Sequence, residues 1–294
     1  MNTRKRIANV VPSPPTHWVG DGFPVSSVFS PQTVQNRLSP YLLFDYAGPV
    51  AFDPSDLARG VDTHPHRGFE TVTIVYQGEL EHRDSAGNSG RIGPGDVQWM
   101  TAAAGILHEE KHSSEFTRRG GVLEMAQLWV NLPAKHKMDP PRYQELRSDA
   151  IPTIVLSDGV GIIRVIAGDF CRTPEGVTQG AARTATPVIL WDMKLRDGAS
   201  IELPIANGFN AGVFVRSGAV RIGEHATAEA RQLAMLTPEG ERATVNALAD
   251  TELLIVGGEP IDEPVATYGP FVMTTPEEIK QAIADLRDGR FGSL

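Results

Sequence analysis

A seventeen-residue stretch of this chain has a second, similar copy in its other half. Residues 64–80, HPHRGFETVTIVYQGEL, align without a gap on residues 204–220, PIANGFNAGVFVRSGAV, at an offset of 140. Gly68-Phe69 falls on Gly208-Phe209, Val75 on Val215 and Gly78 on Gly218. Between the matched glycines both copies carry the β-branched and aromatic residues of a strand. Each copy sits in a strand-rich block: Thr71–Tyr76 and Val122–Leu132 in the first, and Val160–Gly168, Val188–Leu195, Ala211–Val215 and Glu252–Val256 in the second. A chain of 294 residues has room for two domains of about 130 residues each. Duplication of one β domain is the reading that fits. The 29 glycines and 22 prolines, spread along the chain, agree with many short strands joined by turns.

The polar stretch 136–152, with Pro140-Pro141 inside it, reads as a linker. The expected domains are therefore 1–135 and 153–294. Residues 1–60 read as loops and short strands. One helix is expected, from Pro276 to about Asp288, as the end of the second domain. Thr275 is its N-cap, Glu278 completes a capping box and Pro276 takes the first helical position. Ile279, Ile283 and Leu286 share one face, and Gly289 ends it.

The informative part of the repeat is where it fails. His64 falls on Pro204 and His66 on Ala206. Residues i and i+2 of a strand point to one face, so His64 and His66 can grip one ion. Pro65 between them suits the start or edge of a sheet. His108 and Glu110 are a second i, i+2 pair, with Glu109 directed the other way. Three imidazoles and a carboxylate suit Fe(II), Mn(II), Ni(II) or Cu(II), and an octahedral ion would keep two open positions. Open positions belong to catalysis or ligand sensing. The second block lacks such residues and is expected to be metal-free. His82, His112 and His136 sit among charged residues and read as solvated surface. Trp99, Met100, Phe44 and Trp129 read as core or pocket wall, and Arg67 as a surface charge or a residue at the mouth of the site.

Charge and cysteine content narrow the function classes. A net charge of -9 opposes direct nucleic-acid binding. The lone Cys171 cannot form an internal disulfide. No stretch reaches the eighteen apolar residues of a membrane span. The basic start, Met-Asn-Thr-Arg-Lys-Arg, is followed by an apolar run that stops within five residues, too short for a signal peptide. A cytoplasmic protein is expected.

These motifs resemble a known family. His64-x-His66, then Glu70 and Gly78, is similar to the first cupin motif, and Gly95-Asp96 through Gly105 to His108 is similar to the second. Longer strings narrow the resemblance to the pirins: His64–Val72, Pro94–Ala102, Gly105–His108, Gln127–Leu132, Tyr143–Leu146, and Gly258–Pro260 with Tyr268–Met273. The resemblance covers most of the chain from about Ser39 onward. It implies an all-β bicupin, two jelly-roll barrels with a short C-terminal helix. It also implies one metal, usually iron, in the N-terminal cupin on His64, His66, His108 and Glu110, with Mn, Ni, Cu and Zn as alternatives. Cupins at large take their carboxylate from the first motif, here Glu70, which shares the parity of His64 and His66. The pirin pattern points to Glu110, with Gly68 kinking the strand and turning Glu70 elsewhere, toward an imidazole N–H. The activity implied is that of a quercetin 2,3-dioxygenase, acting on a flat flavonol and dioxygen with Glu110 as catalytic base. The alternative implied is an iron-dependent, redox-sensing binding protein that regulates a transcription factor or metabolic enzyme by protein contact. A deep apolar cleft reaching the metal favours the first; a sealed metal beside a flat charged patch favours the second.

Overall fold

The computed structural model describes residues 4–34, 37–173, 176–223 and 226–294. The chain forms two units, each assembled from separated stretches of sequence. The first comprises Pro15–Phe29, Leu42–Ser148 and Ile261–Leu294; the second comprises Met1–Pro14, Ser30–Tyr41 and Asp149–Pro260.

In the first unit a seven-stranded sheet runs in the order Arg142–Leu146, Val97–Thr101, Phe69–Gln77, Gly121–Asn131, Tyr41–Phe52, Phe23–Phe29, His17–Val19. A four-stranded sheet has the order Gly60–His66, Ile106–His112, Leu80–Asp84, Ser89–Ile92. Phe23, Val25, Ala47, Val75 and Met125 of the larger sheet share a buried core with Leu80 and Ile92 of the smaller. The two sheets therefore close on one another as a barrel.

The second unit repeats this order strand for strand. Ser200–Pro204, Arg242–Ala247, Ala219–Ile222 and Ala226–Glu229 form its small sheet. Its large sheet places Gln232–Leu236, Asn210–Ser217, Thr251–Gly258, Val188–Leu195 and Gly161–Ala167 in the order of their counterparts. The matched glycines have matched backbones: φ is +87° at Gly68 and +86° at Gly208, +86° at Gly78 and +79° at Gly218. Left-handed φ is open to glycine at little cost, so these positions persist. The second barrel is filled with apolar side chains, among them Trp191, Met193, Val213, Leu203 and Ile255. Each large aliphatic buried this way contributes about 1.5–3 kcal/mol.

The domain boundaries differ from the sequence expectation at three places. The stretch read as a linker is structural: Arg142–Leu146 pairs with Val97–Thr101 and adds an edge strand to the first barrel. The corresponding edge of the second barrel is taken by Ile7–Pro12, which pairs with Gln232–Leu236, so the chain start belongs to the second unit. Tyr41–Phe52 is one twelve-residue strand where short ones were expected. The C-terminal helix, Pro276–Arg287, has the expected Thr275–Glu278 capping box and proline at its start. It lies in the first unit, where Ile279, Ala282, Phe271, Met273 and Phe291 form a buried cluster with Leu107 against it. A local periodicity identifies the apolar face of a helix but not the surface that covers it.

Arg67, between the second histidine and the turn glycine, fastens this segment. It is 4% exposed, neither a surface charge nor a residue of the cavity mouth. Its Nη1 donates to Asp285 Oδ2 at 2.7 Å, its Nε to the Ala104 carbonyl at 2.6 Å, and its guanidinium lies 4.6 Å from the Phe291 ring centroid. Lys137 makes a parallel tie, its buried ammonium donating to the carbonyls of Gly68 and Val272 and to Asn131.

Arg67→Ala is expected to lower stability by about 2–3 kcal/mol, because Asp285 loses a charge-assisted partner while keeping only Arg290 and Gln281. Chemical denaturation checks this; a loss under about 0.5 kcal/mol would show that the clasp is idle. A fragment of residues 1–135 is expected to be poorly soluble. It lacks the Arg142–Leu146 edge strand and the 261–294 segment, and it exposes the apolar surface they cover. A monomeric, soluble and fully active fragment would contradict the unit composition described above.

Candidate metal centre

The Gly60–His66 and Ile106–His112 strands are antiparallel neighbours, with His64 opposite His108 and His66 opposite Ile106. Cross-strand partners share a face, so this register brings the two histidine motifs together. The ring centroids of His64, His66 and His108 lie 4.2–4.8 Å apart, and their ligand nitrogens all fall within 4.8 Å of one another. His64 Nδ1 donates to the Asp62 carbonyl at 2.8 Å, which leaves its Nε2 for a ligand. Among the described residues, His66 Nδ1 and both nitrogens of His108 are buried without a hydrogen-bond partner. Burial holds His66 and His108 far below the usual imidazole range, and neighbouring imidazoles push the same way. Three converging imidazoles, two of them with unpartnered ring nitrogens, are the donor set that a transition-metal ion satisfies.

Glu110 lies two residues along from His108, past an irregularity where it pairs with Val61. It is not one of the three closest ligand groups, but it lines the same cavity as His64 and His66. Its Oε1 accepts from Thr73 Oγ1 at 3.0 Å and its Oε2 from Gln127 Nε2 at 2.8 Å. These two bonds fix the carboxylate. Neither Thr73 nor Gln127 is marked by sequence spacing; only the strand pairing puts them beside Glu110. Glu109 pairs with Arg83 at the surface, as its parity requires.

Glu70 goes the other way. Gly68 interrupts the strand, and Phe69 takes the inward position, its ring 5.1 Å from that of His66. Thr73 faces Glu110, so Glu70, of opposite parity in the same strand, lies on the far side of the sheet. There it accepts from Thr101 Oγ1 at 2.6 Å, and burial raises its carboxyl above the usual range. Among the described residues it makes no bond to an imidazole; Thr101 is its hydrogen-bond partner, and Arg142 lies 3.9 Å away.

His64 and His66 open on a cavity of about 370 Å³. Val19, Phe23, Val25, Val61, Met125 and Pro270 supply apolar wall. Trp129 adds a flat face, its ring 4.4 Å from Phe69 and 5.5 Å from His66. His64, His66, Glu110, Gln127 and Asp45 are the polar groups. Gly269 and Pro270 come from the turn of the Ala266–Tyr268 and Phe271–Met273 hairpin, so the C-terminal segment forms part of the wall. Trp99, Met100 and Phe44 are fully buried core.

Two histidines read as solvated are buried. His82 is pushed down to about 4 by burial, and its Nε2 accepts from the Tyr143 hydroxyl. His112 packs among Phe23, Phe52 and Phe116, with Nε2 on the Gly22 carbonyl at 2.9 Å. Alternation along their strands turns them inward despite charged neighbours in sequence. His136 is partly exposed and bonds Asp139 at 2.7 Å. Cys171 is exposed.

Comparison with known proteins agrees with this geometry. Residues 22–130 match the Pirin family model and residues 190–292 the Pirin C-terminal cupin domain. A Pseudomonas aeruginosa protein provisionally named as a quercetin 2,3-dioxygenase is 52% identical over 98% of each chain. Human pirin is 40% identical, covering 87% of this chain and 84% of its own. A crystal structure of quercetin 2,3-dioxygenase from Acinetobacter baumannii superimposes with a TM-score of 0.94 at 47% identity over 99% of both chains. With both cupin-type domains matched and this identity running through almost the whole length, the chain belongs to the pirin family.

Proposed function

We propose that this protein is a metal-dependent dioxygenase that opens the heterocyclic ring of flavonols such as quercetin. The observation that carries the reading is the apolar cavity of about 370 Å³ that reaches His64, His66 and Glu110. A flat aromatic ligand fits such a wall, and Trp129 offers it a parallel face. A metal whose only task was to switch a protein surface would need no such space. The names of the relatives support the same reading.

In this reading His64, His66, His108 and Glu110 hold one divalent ion, Fe(II) first, with Mn, Ni, Cu or Zn as alternatives. The ion supplies Lewis acidity and a meeting point for flavonol and dioxygen. The chain supplies the rest. Glu110 takes the proton of the flavonol 3-hydroxyl, acting as general base. Thr73 and Gln127 keep its carboxylate aimed at the cavity. The apolar wall excludes water from the opened ring and holds the ligand plane. The ring opens with dioxygen incorporated and carbon monoxide released.

His66→Ala and His108→Ala are each expected to lose most bound metal after purification with iron present. Elemental analysis decides it, and parent occupancy in either variant would remove these residues from the site. The iron-loaded parent is expected to consume dioxygen and release carbon monoxide in proportion to quercetin lost. Absence of both, with metal bound, would overturn the dioxygenase reading and leave the regulatory one. Glu110→Gln is expected to lower turnover by about 10²–10⁴-fold, while Glu70→Gln stays within a few-fold of the parent. The reverse order would make Glu70 the working carboxylate.

A further inference from the structure

Asp45 has no part in the chemistry above, yet it sits on the wall of the same cavity. It belongs to the long Tyr41–Phe52 strand, two residues from Ala47, which packs in the barrel core with Phe23, Val25 and Met125. A carboxyl group in such surroundings is costly unless its oxygens find partners. Asp45 is 9% exposed, and burial raises its carboxyl above the usual range, opposed by its bond from Ser27. Ser27, its cross-strand partner, donates to Oδ1 at 2.6 Å. Among the described residues no side chain or backbone group donates to Oδ2. Of the other polar groups of the cavity, His64 bonds the Asp62 carbonyl and Glu110 bonds Thr73 and Gln127.

A purely structural Ser27–Asp45 pair would use one carboxylate oxygen and hide the other. Here the carboxyl group lines a ligand-sized space bounded by Phe23, Val25 and Trp129. We propose that Asp45 is the specificity-determining residue of this cavity, accepting a hydrogen bond from a ligand hydroxyl other than the one held at the metal end. The ligand class is then a flat aromatic compound with at least two separated hydroxyl groups. A carboxylate can only accept, so an aromatic ligand lacking the second hydroxyl leaves a buried acceptor unpaired, which is the strongest basis for discrimination. Ser27 is the positioning residue that fixes the direction of the carboxyl group. This inference rests on the dioxygenase reading of the cavity.

The test is anaerobic binding of a flavonol series to iron-loaded protein, followed by fluorescence quenching. 3-Hydroxyflavone keeps only the metal-end hydroxyl; galangin adds hydroxyls on the fused ring, and quercetin adds them on both ends. The parent is expected to bind galangin or quercetin at least about tenfold more tightly than 3-hydroxyflavone. In Asp45→Ala the ratio is expected to fall to within about threefold, with 3-hydroxyflavone affinity and metal content unchanged. Asp45→Asn keeps the shape and the Ser27 bond, so it carries the comparison should the alanine variant not fold. Which of the two compounds loses its advantage locates the hydroxyl that Asp45 reads. A parent that binds all three without preference, or a variant that keeps the parent ratio, overturns the role of Asp45 and leaves the dioxygenase reading intact. A parent that binds none of them overturns both.

Discussion

The register between two short strands is the constraint on which the site depends. His64 stands opposite His108 in an antiparallel pair, and a slip of one residue would turn one motif out of the barrel. Sheet geometry therefore does most of the work of assembling three imidazoles. The register is held by its surroundings. Gly68 makes the turn after His66 with φ of +87°, and a Cβ there would lie 1.9 Å from the Val272 carbonyl oxygen. Arg67 and Lys137 tie the same turn to the C-terminal segment through Asp285 and Val272. The first unit thus closes around its three histidines with residues more than 130 positions away in sequence, as the separation of Lys137 and Val272 shows.

The two barrels show what a cupin-type fold needs and what it can lose. Strand order, the glycine turns and the added edge strand are the same in both. The edge strand comes from opposite directions, Arg142–Leu146 in one and Ile7–Pro12 in the other. Pro204 stands opposite Arg242 where the first barrel has His64 opposite His108. Interior space that holds imidazoles and a cavity in the first barrel is occupied in the second by Trp191, Met193 and their apolar neighbours. A filled core gains burial energy and gives up a site.

The two buried carboxylates illustrate how little separates a cavity-facing group from a structural one. Glu70 and Glu110 are both buried, both hydrogen-bonded to a threonine, and both close in sequence to a site histidine. One turn residue decides between them. Gly68 ends the first strand, the alternation restarts at Phe69, and Glu70 is carried to the other face of the sheet. Parity counted through the glycine puts Glu70 inside; parity counted from Phe69 puts it outside.

Much of this was legible in the residues alone. The gapless repeat, with matched glycines, implied two like barrels, because turn positions demand the same backbone in each copy. The i, i+2 spacing of His64 with His66 and of His108 with Glu110 implied one face per strand, because the strand period is two. The capping box announced the helix, because its bonds are local. What needed tertiary structure was every pairing distant in sequence. Strand periodicity cannot say that Thr73 and Gln127 hold Glu110, that Arg67 is buried against Asp285, or that Asp45 faces the cavity. Nor can it assign the chain start to the second barrel and the C-terminal helix to the first. Local bonds and alternation are properties of neighbouring residues and can be read in order; the partner of a strand edge or an apolar helix face is chosen by burial, which acts on the whole chain at once.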